Sequence, residues 1–209
     1  MTTKEKILHT SLQLFNEHGF ENITVRDIAK AMNISHGNLC YHFANVNVIA
    51  YKLYEGLVAE IDTNLAEIQP EKINLEVVLQ SLFHTYTVLY KYKFLLSDFV
   101  NILRKIESIK THFRQLMEKR KQQMSFLLQL LILNGTLRKE IVPNQYRDFV
   151  QVSISIGNFW ISDAEIMYQG EENQKIKYYV MRFFNQIAFF LTEKGLEEHQ
   201  LLINKYLSK

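Results

Sequence analysis

An all-α fold is predicted by three features of the chain. Only two prolines and seven glycines punctuate its 209 residues, too few breaks for a succession of short strands and turns. Apolar residues recur at three- and four-residue spacings along most of the length. No run of useful length alternates at the two-residue period of a strand. The spacing predicts about nine helices: three short ones in the first 43 residues, then longer ones.

The elements follow in order. Ile7, Leu8, Leu12 and Phe15 share one face of a first helix, which Gly19 can end. Thr24 can cap a second helix, with Asp27 reaching back to the cap; Val25, Ile28, Ala29 and Met32 make its apolar stripe. "NIS" breaks the pattern, and Ser35 is a fresh cap before "HGNLCYHF". Longer helices are expected at 47–67, 74–91 and 105–134, with a short one near 94–103 and Gly135 closing the third long one. "NGTLRKEIVPN" reads as a linker, followed by a helix from near Pro143 to about 167. "YQGEENQ" reads as a polar loop, and a single final helix is expected at about 174–206.

Composition bounds the function. At 47% hydrophobic and 22% charged, the chain can bury a core. One cysteine, Cys40, excludes an internal disulfide framework and any Cys-based zinc site, and suits a reducing, cytoplasmic setting. The densest apolar run, 126–133, is far shorter than the roughly 20 residues of a membrane span. The N-terminus lacks the features of a signal peptide, so no membrane partner is expected. No P-loop, G-x-S-x-G or H-E-x-x-H motif is present, and His84, His112 and His199 lack metal-ligand spacing. No enzymatic activity, cofactor or metal is expected.

Two short helices, a tight turn and a polar second helix match a helix-turn-helix. The major groove of B-DNA admits one α-helix. Ser35, His36, Gly37 and Asn38 can present a small polar face, while Ile34, Leu39 and Phe43 pack inward. Gly37 costs helix stability, about 1 kcal/mol against alanine, and suits a backbone that something approaches closely. Against this stands the charge: residues 1–50 hold four basic and four acidic side chains, where a nucleic-acid-binding region usually shows a basic excess.

The stretch "TVRDIAKAMNISHGNLCYHFAN" resembles the DNA-binding segment of the TetR family of bacterial transcriptional regulators. The matching positions are Thr24, Ile28, Ala29, Ser35, Gly37, Leu39, Cys40, Tyr41, His42 and Phe43, and the upstream Gly-Phe turn is similar too. The resemblance covers about residues 4–55. It implies that Ser35, His36, Gly37 and Asn38 approach bases and that Tyr41 and His42 sit on phosphates. Thr24, Val25 and Arg26 are further phosphate candidates. Two positions depart from the family: Cys40 replaces the usual first tyrosine, and Val46 a frequent lysine. Both remove groups that would hold DNA.

The implied organisation is a DNA-binding domain over 1–46, a linking helix at 47–67 and a ligand-binding and dimerisation domain over 68–209. Helix-turn-helix dimers read half-sites roughly 34 Å apart, so a homodimer is expected through the helices at 144–167 and 174–206. Phe83, Tyr86, Tyr90, Phe94, Phe99, Phe126, Phe159 and Trp160 are candidates to line a pocket for a small apolar or aromatic ligand. Asn158, Asp163 or His84 would be its polar handle. The expected function is a sequence-specific regulator, a repressor that its ligand releases from a double-stranded DNA operator. The competing expectation is a ligand- or protein-sensing helical module whose DNA-binding head has weakened.

Overall fold

The structure is a computed structural model that describes residues 1–207. It contains eleven α-helices among these residues and no strand. They are α1 (Thr3–His18), α2 (Val25–Ala31), α3 (His36–His42), α4 (Val46–Ala66), α5 (Leu75–Lys91), α6 (Phe94–Ser97), α7 (Phe99–Lys105), α8 (Glu107–Leu133), α9 (Gln145–Met167), α10 (Lys175–Asn185) and α11 (Glu193–Leu207). Residues 208 and 209, the end of the expected C-terminal domain, lie outside the described residues.

The chain divides into two compact units. The first comprises residues 1–60 and 88–114. Its core starts with α1, whose Ile7 and Phe15 are fully buried. Gly19 ends this helix at φ +81, a conformation glycine adopts without a Cβ penalty. The turn then drops Phe20 against Phe15, ring centroids 5.3 Å apart. Phe94 of α6 closes on both rings. Asn16 fixes this arrangement: its side-chain amide donates to the Lys91 carbonyl at 2.9 Å and accepts from the Phe94 N–H at 3.1 Å. Tyr54 on α4 meets Nδ1 of His112 on α8 at 2.8 Å. Residues 88–114, assigned from sequence to the C-terminal domain, therefore pack in the first unit against α1, the turn after it and α4. Ring contacts and hydrogen bonds across 58 to 78 residues of chain leave no mark on local periodicity.

The second unit comprises residues 61–87 and 115 onward. Leu75, Leu79, Trp160, Val180 and Phe184 form its buried centre. Glu198 accepts from the Leu75 N–H at 2.7 Å, Lys205 pairs with Glu76 at 2.6 Å, and Phe83 stacks on Tyr206 at 5.3 Å. These contacts clamp α11 onto α5. At the end of α4, Asp62 holds Arg120 and Lys119 of α8 at 2.6 and 3.1 Å.

Two expected helices are broken, which raises nine to eleven. The segment near 94–103 is α6 and α7, parted at Asp98, whose carboxylate accepts from the Asn101 amide at 2.6 Å. The single helix expected at 174–206 is α10, a 3-10 turn over Gln186–Phe190 and α11. Leu191 is extended there and bridges Leu137 in antiparallel sense. Arg138 N–H donates to the Phe190 carbonyl and Thr192 N–H to that of Thr136, at 2.9 and 3.1 Å. The backbone of the post-α8 turn thus captures the residues that would have continued the helix. Thr192 restarts it: its hydroxyl donates to Gly135 O at 2.7 Å and accepts from Gly195 N–H at 3.1 Å, an N-cap. A Cβ at Gly195 would collide with the Thr136 carbonyl, so glycine is required at this crossing.

Candidate nucleic-acid interface

The helix-turn-helix is built from local capping. Thr24 and Asp27 form a complete capping box at the start of α2: the Asp27 N–H donates to the Thr24 hydroxyl at 3.3 Å, and the Thr24 N–H to the Asp27 carboxylate at 2.8 Å. The Thr24 side-chain and backbone donors hold the Asp27 carboxyl below its usual pKa. Ile28 and Ala29 are buried on the inner side of the helix. The turn that follows depends on Asn33, which adopts a left-handed φ of 54, a conformation asparagine tolerates better than most residues. Ile34 N–H then reaches back to Ala29 O at 3.0 Å. Sequence reasoning marked this stretch as a break but did not identify Asn33 as the turning residue; asparagine directly after an amphipathic run is the signal.

Ser35 caps α3, accepting from the Asn38 N–H at 3.1 Å. Leu39 and Phe43 anchor the helix to the core at 0% and 5% exposure, and Ile34 is half-buried. The outward face is then determined. Ser35, His36, Gly37 and Asn38 are all exposed, and nothing lies within 4 Å of where a Gly37 Cβ would stand. Tyr41 is 85% exposed, its ring held edge-on by His42 at 5.1 Å. Burial does not explain a tyrosine so far out of the core. Thr24 and Arg26 are exposed at the α2 N-terminus, while Val25 and His42 are half-buried. Cys40 is half-buried and its Sγ lies 3.5 Å from His36 Nε2 one turn earlier. Asn45, not anticipated, caps α4 by accepting from the Val48 N–H at 3.1 Å.

The structure thus brings all nine expected DNA-facing residues onto two adjacent helices and their caps. The eight aromatic candidates are distributed differently. Tyr90, Phe94 and Phe99 belong to the first unit, where Phe94 fills the α1 core and Phe99 packs edge-on against Phe113 at 5.0 Å. In the second unit, Tyr86 stacks on Trp160 at 4.9 Å, with Phe183 at 6.1 Å. Phe83 lies on Tyr206, and Phe126 and Phe159 are half exposed, at 50% and 49%. Of the polar handles, Asp163 accepts from the Tyr179 hydroxyl at 2.6 Å, and Asn158 faces Met117 Sδ at 4.0 Å.

A capped two-helix unit with a solvent-facing polar reading helix defines the class: a helix-turn-helix DNA-binding protein. Family comparisons agree over most of the chain. Residues 7–45 match the family model described as bacterial regulatory proteins, tetR family, and residues 57–199 match the model described as bacterial transcriptional repressor, TetR. The chain belongs to the TetR family and is a DNA-binding transcriptional regulator. It is 26% identical over 154 residues to the probable HTH-type transcriptional regulator YttP of Bacillus subtilis (strain 168), covering 72% of each chain. It is 30% identical over 80 residues to IcaR of Staphylococcus epidermidis, a negative regulator of a biofilm operon, a match spanning 43% of that protein. A crystal structure of a TetR-family regulator from Marinobacter aquaeolei VT8 superposes with a TM-score of 0.86 at 26% identity, over 99% of both chains. The fold also matches a gamma-butyrolactone receptor, at 12% identity and a TM-score of 0.70.

Proposed function

We propose that this protein is a homodimeric cytoplasmic repressor, in which α3 of each subunit reads one half-site of a DNA operator and a small apolar or aromatic ligand releases it. The observation that carries the reading is the outward face of α3: four small or polar residues and one exposed tyrosine on a helix whose other side is anchored by Leu39 and Phe43. Asn38 is suited to bidentate contact with adenine, and Ser35, His36 and Gly37 let the helix lie close to the bases. Tyr41, His42, Thr24, Val25 and Arg26 set its register on phosphates.

Dimerisation is supported by α9. Val152, Ile156, Phe159 and Ile166 recur along one exposed face of it, with Ile166 at 78% exposure. Four apolar side chains in line on one helix suit a buried partner. Phe189, in the 3-10 turn after α10, is 74% exposed beside the buried Phe190, so the second interface element is the broken segment 175–207. Residues 1–46 serve as the reading domain in this scheme and 68–209 as the sensing domain, apart from the segment 88–114 that packs in the first unit.

Ligand sensing is supported by Tyr86. Its ring is buried against Trp160 and its hydroxyl has no hydrogen-bond partner among the described residues. Burial pushes the phenol pKa upward, keeping it neutral. A buried hydroxyl without a partner costs about 1–3 kcal/mol, and a ligand carrying one acceptor recovers that cost. Selection from a randomised duplex pool tests the whole reading. The expected product is a palindrome with half-sites about one helical turn apart; enrichment of no sequence by a folded dimer would falsify it. Within that assay, aromatic compounds that raise the thermal midpoint should also dissociate the duplex, and Tyr86→Phe should weaken both effects together.

A further inference from the structure

We propose that the α7–α8 elbow, residues 104–114, is a second DNA-contacting surface that grips the duplex backbone beside each half-site; this rests on the DNA-binding reading of the head and extends it beyond the helix-turn-helix. Charge motivates it. Residues 1–60 carry five basic side chains against six acidic ones, so the part of the unit that holds the reading helix has no basic excess to draw in a polyanion. The part contributed by residues 88–114 carries six basic against two acidic: Lys91, Lys93, Arg104, Lys105, Lys110 and Arg114 against Asp98 and Glu107. The positive excess of the whole first unit comes from this insertion.

Position supports it as strongly. Lys105 Nζ lies 2.7 Å from Glu21 Oε2 and 5.0 Å from the Phe20 ring centroid. The elbow is therefore docked on the turn that leads directly into Thr24 and the α2 N-terminus, where phosphates are expected. That ion pair also neutralises Glu21, an acidic side chain on the turn just before α2. The elbow is rigid. Ile106 and Ile109 are buried, Phe113 packs on Phe99, and His112 is held by Tyr54. With these side chains inward, Arg104 and Arg114 project outward and are exposed. Lys110, one turn before Arg114 on the same face, pairs with the exposed Glu107, at 2.7 Å. Arginines on a fixed scaffold suit phosphate, because their planar fork matches its oxygens.

Salt dependence of binding to a fluorescein-labelled 40-base-pair duplex of mixed sequence tests the proposal without knowledge of the operator. Each lost phosphate contact flattens the plot of log K against log salt by about 0.9. Arg104→Ala with Arg114→Ala is expected to lower the slope by roughly that amount per contact and weaken binding uniformly across sequences. Arg104→Lys with Arg114→Lys should keep most of the slope. Arg147→Ala, a surface arginine of the second unit, is the control for net charge alone. Circular dichroism verifies the helix content of each variant. An unchanged slope in the double alanine variant, or an equal loss in Arg147→Ala, overturns the elbow while leaving the helix-turn-helix reading intact. Absence of duplex binding by the unaltered protein at low salt overturns both.

Discussion

Tyr41 and Asn38 are the side chains through which single-residue changes report most directly on recognition. Neither is buried and neither supports the core, so their loss leaves folding intact. Asn38→Ala is expected to weaken operator binding by about 1–3 kcal/mol and relax specificity at one base pair. Tyr41→Ala is expected to weaken it on every sequence alike. Gel shifts against the selected operator and its single-base variants distinguish the two. His199 reports on stability instead. It is stacked on Phe184 at 5.1 Å, its Nε2 lies in the core without a hydrogen-bond partner among the described residues, and burial lowers its pKa from the usual value. A histidine depressed in the folded state binds its proton first when unfolded. Its contribution is therefore complete above about pH 6.5 and is lost as pH falls from there through the folded value. The thermal midpoint should drop between pH 7 and 5, and His199→Leu should flatten that drop; an identical pH profile in the variant excludes His199 as its source.

At the scale of elements, the junction between α10 and α11 has the clearest consequence. One threonine serves both sides of it: Thr192 ties Gly135 and caps α11. Thr192→Ala should cost about 1 kcal/mol or somewhat more, read as a lower midpoint in chemical denaturation with unchanged slope. Gly195→Ala should cost more, because the new Cβ meets the Thr136 backbone rather than a mobile side-chain end. The same junction explains why a helix of continuous apolar pattern is interrupted. Ile187, Phe190 and Leu191 are all buried, as one uninterrupted stripe would also require, so periodicity cannot distinguish the two. The capping residues of α2 and α3 were legible by contrast, because Thr24, Asp27 and Ser35 act within three residues of themselves.

At the scale of the whole molecule, the proposed function depends on two copies. Phe159→Glu together with Ile156→Asp places two charges in the exposed stripe of α9. Sedimentation should then show a monomer at micromolar concentration, and operator affinity should fall by at least a hundredfold because one head must bind alone. A variant that remains dimeric assigns the interface elsewhere. For the candidate pocket, sequence reasoning grouped eight aromatics by type and neighbourhood in the chain. The structure keeps Tyr86 with Trp160, yet seats Phe94 in the α1 core, because Asn16 and Phe20 claim the start of α6.

The helical class, the positions of the first helices and the outward residues of α3 follow from the order of the amino acids alone. Apolar spacing and side-chain caps act over one or two turns, and such short-range physics is written locally. The attachment of residues 88–114 to the reading head, the break at Leu191 and the basic elbow beside the α2 start were decided only when distant segments met. Each depends on a contact between groups fifty or more positions apart: Asn16 with Phe94, Leu137 with Leu191, Glu21 with Lys105. A hydrogen bond or ion pair of that kind requires a particular partner at about 3 Å, and no periodicity along the chain encodes which partner it is.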